Sequence, residues 1–250
     1  MHHCALNVAL YGKPRRWAMT ERGAGAVKRG PGFLNIGQSG MVWDGSGLTI
    51  RIGEMAVPVP RRVSGVVRLY PSAVETRTLT LDTAGRHRWR PIAPSARVEV
   101  VLDRPDVSWS GTAYFDTNHG DRPLEADFIR WDWSRMPVPG GSAIFYDIER
   151  RDGPLRLAMR YDAAGGVQDF TAPPAAALPR TRWGVSRRIG ADGASVVRTL
   201  EDTPFYARSV VAAHMLGEPV IAMHESLSMD RFTRPWVQAM LPFRMPRAYL

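Results

Sequence analysis

Residues 97–116, RVEVVLDRPDVSWSGTAYFD, carry two runs of alternating side chains on either side of a turn. In the first run Val98, Val100 and Leu102 occupy alternate positions, and Asp103-Arg104-Pro105-Asp106 contains residue types that favour a turn. Because successive side chains of a strand point to opposite faces, the second run also divides into two sets. One face carries Val107, Trp109, Ala113 and Phe115, and the other carries Ser108, Ser110, Thr112, Tyr114 and Asp116. The stretch is therefore predicted to form a β-hairpin.

The same alternation recurs along most of the chain and predicts an all-β fold. Residues 48–60 and 78–89 show it, the second with a turn at Asp82-Thr83-Ala84-Gly85. Further strands are predicted within residues 141–167, 182–189, 194–215 and 220–232, with turns at Arg151-Asp152-Gly153 and Gly190-Ala191-Asp192-Gly193. The 250 residues include 23 glycines and 20 prolines, which favours many short strands joined by turns over a helical bundle.

Residues 120–140 are predicted to connect two antiparallel β halves. This stretch is rich in turn-forming residues and shows no alternation, so we expect a crossover with one short helical turn at 124–130. The resulting domains are an N-terminal β domain, residues 1–127, and a C-terminal β domain, residues 128–250. The proline-rich residues 171–182 are expected to form a long loop within the second half.

The net charge of +9 comes almost wholly from arginine, because Lys13 and Lys28 are the only lysines. Anionic lipid headgroups and nucleic acid are both possible partners for such a charge. The arginines are scattered singly or in pairs, with no basic run, groove-reading helix or base-stacking motif, so nucleic acid is not expected. Peripheral contact with an anionic membrane surface is the better interpretation.

No segment is predicted to cross a membrane or to direct secretion. The most apolar long window, residues 209–223, is interrupted by polar residues, a glycine and a proline, and a transmembrane helix needs roughly 20 largely apolar residues. Residues 1–17 have no charged region followed by a sustained apolar one. Cys4 is the only cysteine, so neither a disulfide framework nor a cysteine-rich metal site is expected.

Asp116 is the first candidate for a functional residue. One interpretation of its strand face is ordinary exposure to water. The other is a cavity, because Ser108, Ser110 and Thr112 are small and leave room above the strand. That room would end at Tyr114 and Asp116. In a closed barrel or between two sheets, such a face would line a cavity with an acid at one end.

RHRWRP (86–91) contains a second candidate pair. Its three arginines share one face of the predicted strand and mark that face as exposed, so His87 and Trp89 are predicted to point inward. They are either ordinary core residues or a pair that faces Tyr114 and Asp116 from a nearby strand.

The other histidines do not predict a metal site. His214 and His224 have no carboxylate at helical spacing, and no cysteine joins them. His119 and Asp121 are expected to have a capping or surface role in a turn. A serine hydrolase is also poorly supported, because GQSGM (37–41) lacks the glycine spacing of a nucleophile elbow.

Trp131 and Trp133 lie two residues apart in RWDWSR (130–135). They are interpreted as core or rim aromatics of the second sheet. The alternative is the mouth of an apolar tunnel or a membrane-surface anchor, because tryptophan suits interfaces.

Several longer motifs spread over nearly the whole chain form a specific combination. They are NVALYG (7–12), WAMTERG (17–23), RHRWRPIAP (86–94), LDRP (102–105), WSGTAYFDTNHGDRPLE (109–125), WDWSR (131–135), RTLEDTPFYARS (198–209) and PWVQAMLPFRMPR (235–247). Together they resemble the carotenoid 1,2-hydratases (hydroxyneurosporene synthases) of phototrophic and other bacteria.

The resemblance implies an all-β protein of two lipocalin-like antiparallel halves, as barrel or sandwich, with a ligand cavity. It also implies addition of water across the terminal C1–C2 double bond of an acyclic carotenoid such as neurosporene or lycopene, giving a tertiary alcohol without a cofactor or a metal. The acid would be the aspartate of a Tyr-x-Asp motif, here Asp116 with Tyr114. A His-x-Trp pair, here His87 and Trp89, would support it. The protein would be cytoplasmic and peripherally associated with the inner, photosynthetic membrane.

The sequence is compatible with two alternative functions. One is a non-catalytic lipocalin-like carrier of carotenoid or another lipid, and the other is a related cofactor-free enzyme on a polyene, such as a cyclase. Members of the family usually carry a further stretch before the NVALYG region, and this chain begins almost on it. Either the start codon is misassigned or an opening strand is missing, which would leave an exposed sheet edge.

Overall fold

The computed structural model describes residues 3–215 and 217–243, apart from the side chain of Asp192. Most of these residues lie in β-strands, and neighbouring strands run antiparallel. The predicted all-β, antiparallel fold class is confirmed.

The strands are numbered here in chain order. They are β1 (His3–Leu10), β2 (Arg16–Gly23), β3 (Val27–Gly30), β4 (Phe33–Ile36), β5 (Ser39–Trp43), β6 (Leu48–Ala56), β7 (Arg61–Pro71), β8 (Leu79–Thr80), β9 (His87–Arg104), β10 (Val107–Gly120), β11 (Phe128–Val138), β12 (Gly141–Arg150), β13 (Gly153–Asp162), β14 (Val167–Asp169), β15 (Ala176–Leu178), β16 (Arg187–Ile189), β17 (Asp192–Asp202), β18 (Tyr206–Met215) and β19 (Glu218–Ser228).

Helical structure is limited to short segments. They are the 3₁₀ turns Ala24–Ala26, Leu124–Ala126 and Leu241–Phe243, and the helices α1 (Met229–Phe232) and α2 (Pro235–Met240). None of the helices in the described part of the chain is long and apolar enough to span a membrane.

Two large sheets contain most of the strands. The first has the spatial order β10-β9-β7-β6-β5-β4-β3, with β8 paired to β9, and the second has the order β14-β13-β12-β11-β19-β18-β17. Two further pairs, β1–β2 and β15–β16, form small separate sheets. Within the described residues, each large sheet is open and has an edge strand at either end.

Close contacts divide the chain into two compact units that are not continuous in sequence. The first unit comprises the described residues within 1–71, 96–113 and 239–250, and the second comprises those within 72–95 and 114–238. The long strands β9 and β10 each contribute one part to either unit. The predicted domains, residues 1–127 and 128–250, are a different division of the chain from these two units, and they stay a prediction.

The first unit has an apolar core to which the hairpin at residues 97–116 contributes. Val98, Val100 and Leu102 of β9 are buried there, and Ile52 and Val67 of neighbouring strands pack against them. The alternation predicted for residues 97–102 is thereby confirmed. Ser39 of the GQSGM motif is buried and donates a 2.5 Å hydrogen bond to Glu54, so its hydroxyl is part of a structural network.

The second unit is built on the seven-stranded sheet, whose two faces are both covered. On one face Met136 and Phe145 form a core with Leu178 and Ile189 from the β15–β16 hairpin. On the other face a second core includes several aromatic residues. Its buried members include Trp89, Phe128, Trp133, Tyr146 and Tyr161.

A buried polar chain crosses the first of these faces, where β11 and β19 pair. Ser134 Oγ lies 2.8 Å from His224 Nδ1, and His224 Nε2 lies 3.1 Å from Ser226 Oγ. Ser226 in turn donates a 2.6 Å hydrogen bond to Asp132. Burial lowers the pKa of His224 to about 3 and raises the pKa of Asp132 to about 6. His224 is therefore a neutral member of a hydrogen-bonded chain.

Most predicted hairpins are confirmed, but one central strand was predicted wrongly as a crossover. The hairpin turn predicted at residues 190–193 is also wrong, because β16 pairs with β15 and β17 pairs with β18. The pairs β9–β10 and β12–β13 follow the predicted turns at residues 103–106 and 151–153. Within residues 120–140 the only helical segment is the 3₁₀ turn Leu124–Ala126, and Phe128–Val138 forms β11, which is hydrogen-bonded on both sides. Since both faces of this strand are covered, its side chains do not need to alternate. The strand predicted at 182–189 is also shorter and consists only of β16.

Candidate active site

A cavity of about 490 Å³ lies in the second unit. β10 contributes Tyr114, Asp116, Asn118 and Gly120 to its wall, and β11 contributes Trp131 and Trp133. These four residues of β10 occupy alternate positions and so share one strand face, while His119 of the same strand also lines the cavity. Of the two interpretations of the strand face that bears Asp116, lining of a cavity applies to Tyr114 and Asp116.

The position of this cavity along β10 differs from the prediction. Ser108, Ser110 and Thr112 are exposed and do not line it, so the expected room above these small residues is not the cavity. The cavity extends instead from Tyr114 towards Gly120. β10 belongs to the second unit only from Tyr114 onward.

The Asp116 carboxyl group is partly buried and is held by two donors on one oxygen. Trp89 Nε1 donates a 2.8 Å hydrogen bond to Asp116 Oδ2, and the Tyr114 hydroxyl donates a 3.0 Å bond to the same atom. Burial raises the pKa of Asp116, because the charged form loses hydration. The hydrogen bonds from Trp89, Tyr114 and Asn118 oppose that rise, since they stabilise the carboxylate.

Aromatic rings surround this carboxyl group. The Trp89 ring meets Tyr146 edge-on at 5.3 Å between centroids, and the Tyr114 ring lies 5.0 Å from Trp133. Burial also raises the pKa of Tyr114 above its ordinary value, so its hydroxyl keeps its proton and acts as a donor. Trp131 and Trp133 thus belong to the wall of the cavity, and Trp133 is too deeply buried to be a surface anchor.

His87 is 2 % exposed and Trp89 is 1 % exposed, which confirms that both point inward. The ring of His87 packs against Phe128 at 4.7 Å between centroids. Its Nε2 atom lies 2.7 Å from Asp127 Oδ2, whereas its Nδ1 atom is buried with no hydrogen-bond partner among the described residues. His87, Asp116 and Tyr114 therefore line one cavity, while Trp89 reaches it through its hydrogen bond to Asp116.

Basic side chains lie at the open side of the cavity, and two of them form ion pairs, Arg88 with Asp121 and Arg122 with Asp127. Arg88, His119 and Arg122 line this side together with the exposed Leu124. Deeper on the sheet, Arg208 donates a 2.5 Å hydrogen bond to Glu225. Within residues 3–215 and 217–243, no group of three or more histidine, cysteine, aspartate or glutamate side chains is placed to hold a metal ion.

Sequence reasoning missed Asn118, Asp127 and Tyr146 as neighbours of the site. Asn118 continues the alternation Tyr114, Asp116, so the strand period could have identified it. Asp127 and Tyr146 reach the site only through the packing of distant segments, and no local pattern signals them.

The chain is similar to proteins of one family. A family model described as "Carotenoid hydratase CrtC" matches residues 1–249. The chain belongs to this family. Among relatives of the carotenoid hydratase family, the acyclic carotenoid 1,2-hydratase of Thiocapsa roseopersicina is 52% identical over 99% of this chain and 62% of its own length. The corresponding protein of Cereibacter sphaeroides is 40% identical over 98% of this chain and 90% of its own length.

Two further comparisons concern the length of the relatives and the fold. The acyclic carotenoid 1,2-hydratase of Rubrivivax gelatinosus is 47% identical, and the chain spans 62% of its length, as it does for the Thiocapsa protein. The crystal structure of an AttH-type protein from Nitrosomonas europaea has a TM-score of 0.61 over 91% of this chain and 80% of that chain, at 15% identity. This likeness supports the fold alone.

Proposed function

We propose that the protein hydrates the terminal C1–C2 double bond of an acyclic carotenoid and forms a tertiary alcohol. The observation that carries the proposal is a carboxyl group, Asp116, whose pKa is raised by burial in the wall of an aromatic cavity. The substrate class comes from the relatives, which are named acyclic carotenoid 1,2-hydratases.

Asp116 is the proposed proton donor. An isolated trisubstituted alkene is a weak base, so its hydration needs a strong acid in the right position. The raised pKa keeps more of Asp116 in the acid form near neutral pH. Because Oδ2 accepts hydrogen bonds from both Trp89 and Tyr114, we assign the acidic proton to Oδ1. After transfer, these two donors stabilise the carboxylate that remains.

Transfer of this proton to C2 places the positive charge on the tertiary carbon C1. The rings of Tyr114, Trp131 and Trp133 line the cavity and would stabilise that charge through their faces. Trp89 does not line the cavity, so its role is the hydrogen bond to Asp116 rather than contact with the cation. Water must then reach C1, and His87 is the proposed residue that orients and deprotonates it.

The decisive experiment is the Asp116→Asn variant, which keeps the shape of the side chain and removes the acid. Loss of a general acid costs roughly 10²- to 10⁴-fold, so we expect at least a hundredfold loss of hydroxylated product. The protein is incubated with neurosporene or lycopene and the product is measured by chromatography. Asp103→Asn is the matched control, because Asp103 is an exposed carboxylate of the neighbouring strand β9. Turnover of Asp116→Asn equal to that of the control would refute the assignment.

The same incubation separates the two alternative functions. A carrier would bind the pigment in stoichiometric amounts and return it unchanged. A cyclase would give a product of the same mass as the substrate, whereas hydration adds the mass of one water molecule.

We also propose peripheral contact with an anionic membrane, the bacterial inner membrane, from which a carotenoid could enter without crossing water. The basic residues at the open side of the cavity, Arg88, His119 and Arg122, and the net charge of +9 support this contact. Vesicle flotation should show binding to anionic but not to neutral vesicles, and high salt should weaken it because surface charges are screened. Equal flotation with both kinds of vesicle would contradict the proposal.

A further inference from the structure

We propose that Asp127 is a positioning residue that fixes the tautomer of His87 and thereby makes Nδ1 the atom that takes the proton from the attacking water. The inference rests on the proposed hydration and deepens it. It assigns the reacting atom of His87 and names a second carboxylate that the sequence motifs do not include.

The tautomer follows from the partner of Nε2. Asp127 Oδ2 lies 2.7 Å from His87 Nε2. An ionised carboxylate only accepts hydrogen bonds, so Nε2 must carry the hydrogen. In a neutral imidazole the other nitrogen, Nδ1, is then a bare acceptor.

Asp127 is itself held in place by two guanidinium groups. Arg86 Nη2 donates a 2.8 Å hydrogen bond to Asp127 Oδ1, and Arg122 Nε lies 3.3 Å from Oδ2. The backbone N–H of His87 also donates a 2.8 Å hydrogen bond to Asp82, and the Phe128 ring packs against the imidazole. With both its backbone and its Nε2 atom held, the imidazole has little freedom to turn.

The Nδ1 atom has the surroundings expected of a base that acts on a small molecule. It is buried and has no hydrogen-bond partner in the described part of the chain. A buried polar atom without a partner carries a free-energy cost, which a catalytic role can explain. Gly120 lies beside the His87 ring, and a Cβ atom there would lie only 2.6 Å from Nδ1. Both residues line the cavity, and a side chain at position 120 would collide with Nδ1.

The proton balance of the step is complete. Asp116 gives a proton to C2, and the water oxygen forms the new bond to C1. As that bond forms, one O–H bond of the water breaks and its proton passes to Nδ1. The resulting imidazolium faces the Asp127 carboxylate, which stabilises its charge. Return of this proton to Asp116 through water restores both groups, and the net reaction is alkene plus water to alcohol.

The first test reads the tautomer directly in the full chain without substrate. Nitrogen-15 NMR of labelled histidines, with His87 assigned from the missing signal of His87→Gln, distinguishes a bare from a protonated ring nitrogen. We expect a bare Nδ1 in the wild type. In Asp127→Asn the carboxamide no longer requires a donor at Nε2, so the form with the proton on Nδ1 should increase. A protonated Nδ1 in the neutral imidazole of the wild type would overturn the proposal, whether or not the variant folds.

The second test is the kinetics of the same variant. In a Ser-His-Asp triad, the Asp→Asn change preserves geometry and lowers kcat through the wrong tautomer. We expect kcat of Asp127→Asn to fall by at least tenfold with KM changed by less than about threefold, since general-base catalysis contributes roughly 10² to 10⁴. Asp169→Asn is the control, because it removes an Asp–Arg ion pair of the same unit on an exposed carboxylate away from the cavity. Unchanged kcat, or a fall in kcat with the His87 tautomer unaltered, would overturn the proposal.

These outcomes are distinct from failure of the proposed function. If the wild type makes no alcohol, hydration is refuted, while the NMR result still decides whether Asp127 fixes the tautomer. If the wild type makes alcohol and Asp127→Asn matches it, hydration stands and the role of Asp127 is refuted.

Discussion

Tyr114 and Trp89 donate hydrogen bonds to the same oxygen of Asp116, and their effect on its pKa opposes the effect of burial. Burial disfavours the carboxylate, whereas each donor stabilises it. The acid form is the one that can protonate an alkene. We therefore expect kcat to be highest below the raised pKa of Asp116 and to fall as the pH rises through it.

The Tyr114→Phe variant tests this balance of effects. Removal of the hydroxyl destabilises the carboxylate, so the pKa of Asp116 rises further and the fall in kcat moves to higher pH. A hydrogen bond to a charged group is worth about 1.5–3 kcal/mol, so the plateau of kcat should drop roughly tenfold to a hundredfold. The measurement is the pH profile of kcat. Tyr70→Phe is the control, because Tyr70 donates to a different carboxylate, Glu99. A shift of the profile to lower pH would contradict the assignment.

The residues of the site differ in how far the sequence could predict them. The arginines at alternate positions around His87 and Trp89 were sufficient to predict that these two side chains are buried. Asp127 could not be predicted, because it lies 40 residues from His87 and directly before a strand that shows no alternation. The contact between Asp127 and His87 results from the packing of distant segments, and no local sequence pattern indicates it.

At the scale of elements, β11 explains most of what sequence reasoning missed. Turn chemistry and alternation located the hairpins of β9–β10 and β12–β13, because each of those signals is local. β11 pairs with β12 and β19. On one of its faces Trp131 and Trp133 line the cavity, and on the other Asp132 and Ser134 belong to the buried polar chain. These polar residues of the strand are buried rather than exposed to water, so its pattern resembles a loop rich in aromatic and charged residues.

The buried polar chain between β11 and β19 makes the stability of the protein depend on pH. The pKa of His224 falls to about 3 in the fold, so between about pH 3 and pH 6.5 the unfolded chain binds a proton that the folded chain does not. Stability from His224 is therefore complete above pH 6.5 and is lost as the pH falls. Asp132 acts in the opposite direction, because its pKa rises to about 6, and its contribution falls as the pH rises from about 4 to 6.

The His224→Gln variant separates these two opposing contributions. The unfolding free energy of the wild type minus that of the variant should increase as the pH rises from 4 to 6.5, with a slope of at most about 1.4 kcal/mol per pH unit. Urea unfolding at a series of pH values measures it. The nearby Arg187 side chain also lowers the pKa of His224 and is unchanged in the variant. His3→Gln, at an exposed histidine, is the control. A difference that stays constant or shrinks over this range would contradict a neutral buried His224.

At the scale of the whole molecule, the cavity and the core of the first unit are built on the same two strands. β9 carries His87 and Trp89 near its start and Val98, Val100 and Leu102 towards its end. β10 carries the exposed residues Ser108–Thr112 first and the cavity residues afterwards. Alternation predicted each strand but could not reveal that its two ends serve different units.

This arrangement predicts that stability and activity can be changed separately. Val100→Ala removes two buried methyl groups from the core of the first unit and should lower the unfolding free energy by about 1–3 kcal/mol. All the cavity residues belong to the second unit, so kcat should stay within about twofold of the wild type at temperatures where the variant is folded. The neighbouring Val101→Ala is a matched control, because Val101 is 49% exposed on the same strand, and it should change stability by less than about 0.5 kcal/mol. Denaturant unfolding and product formation measure the two quantities. A large fall in kcat for folded Val100→Ala would show instead that packing in the first unit controls the chemistry of the cavity.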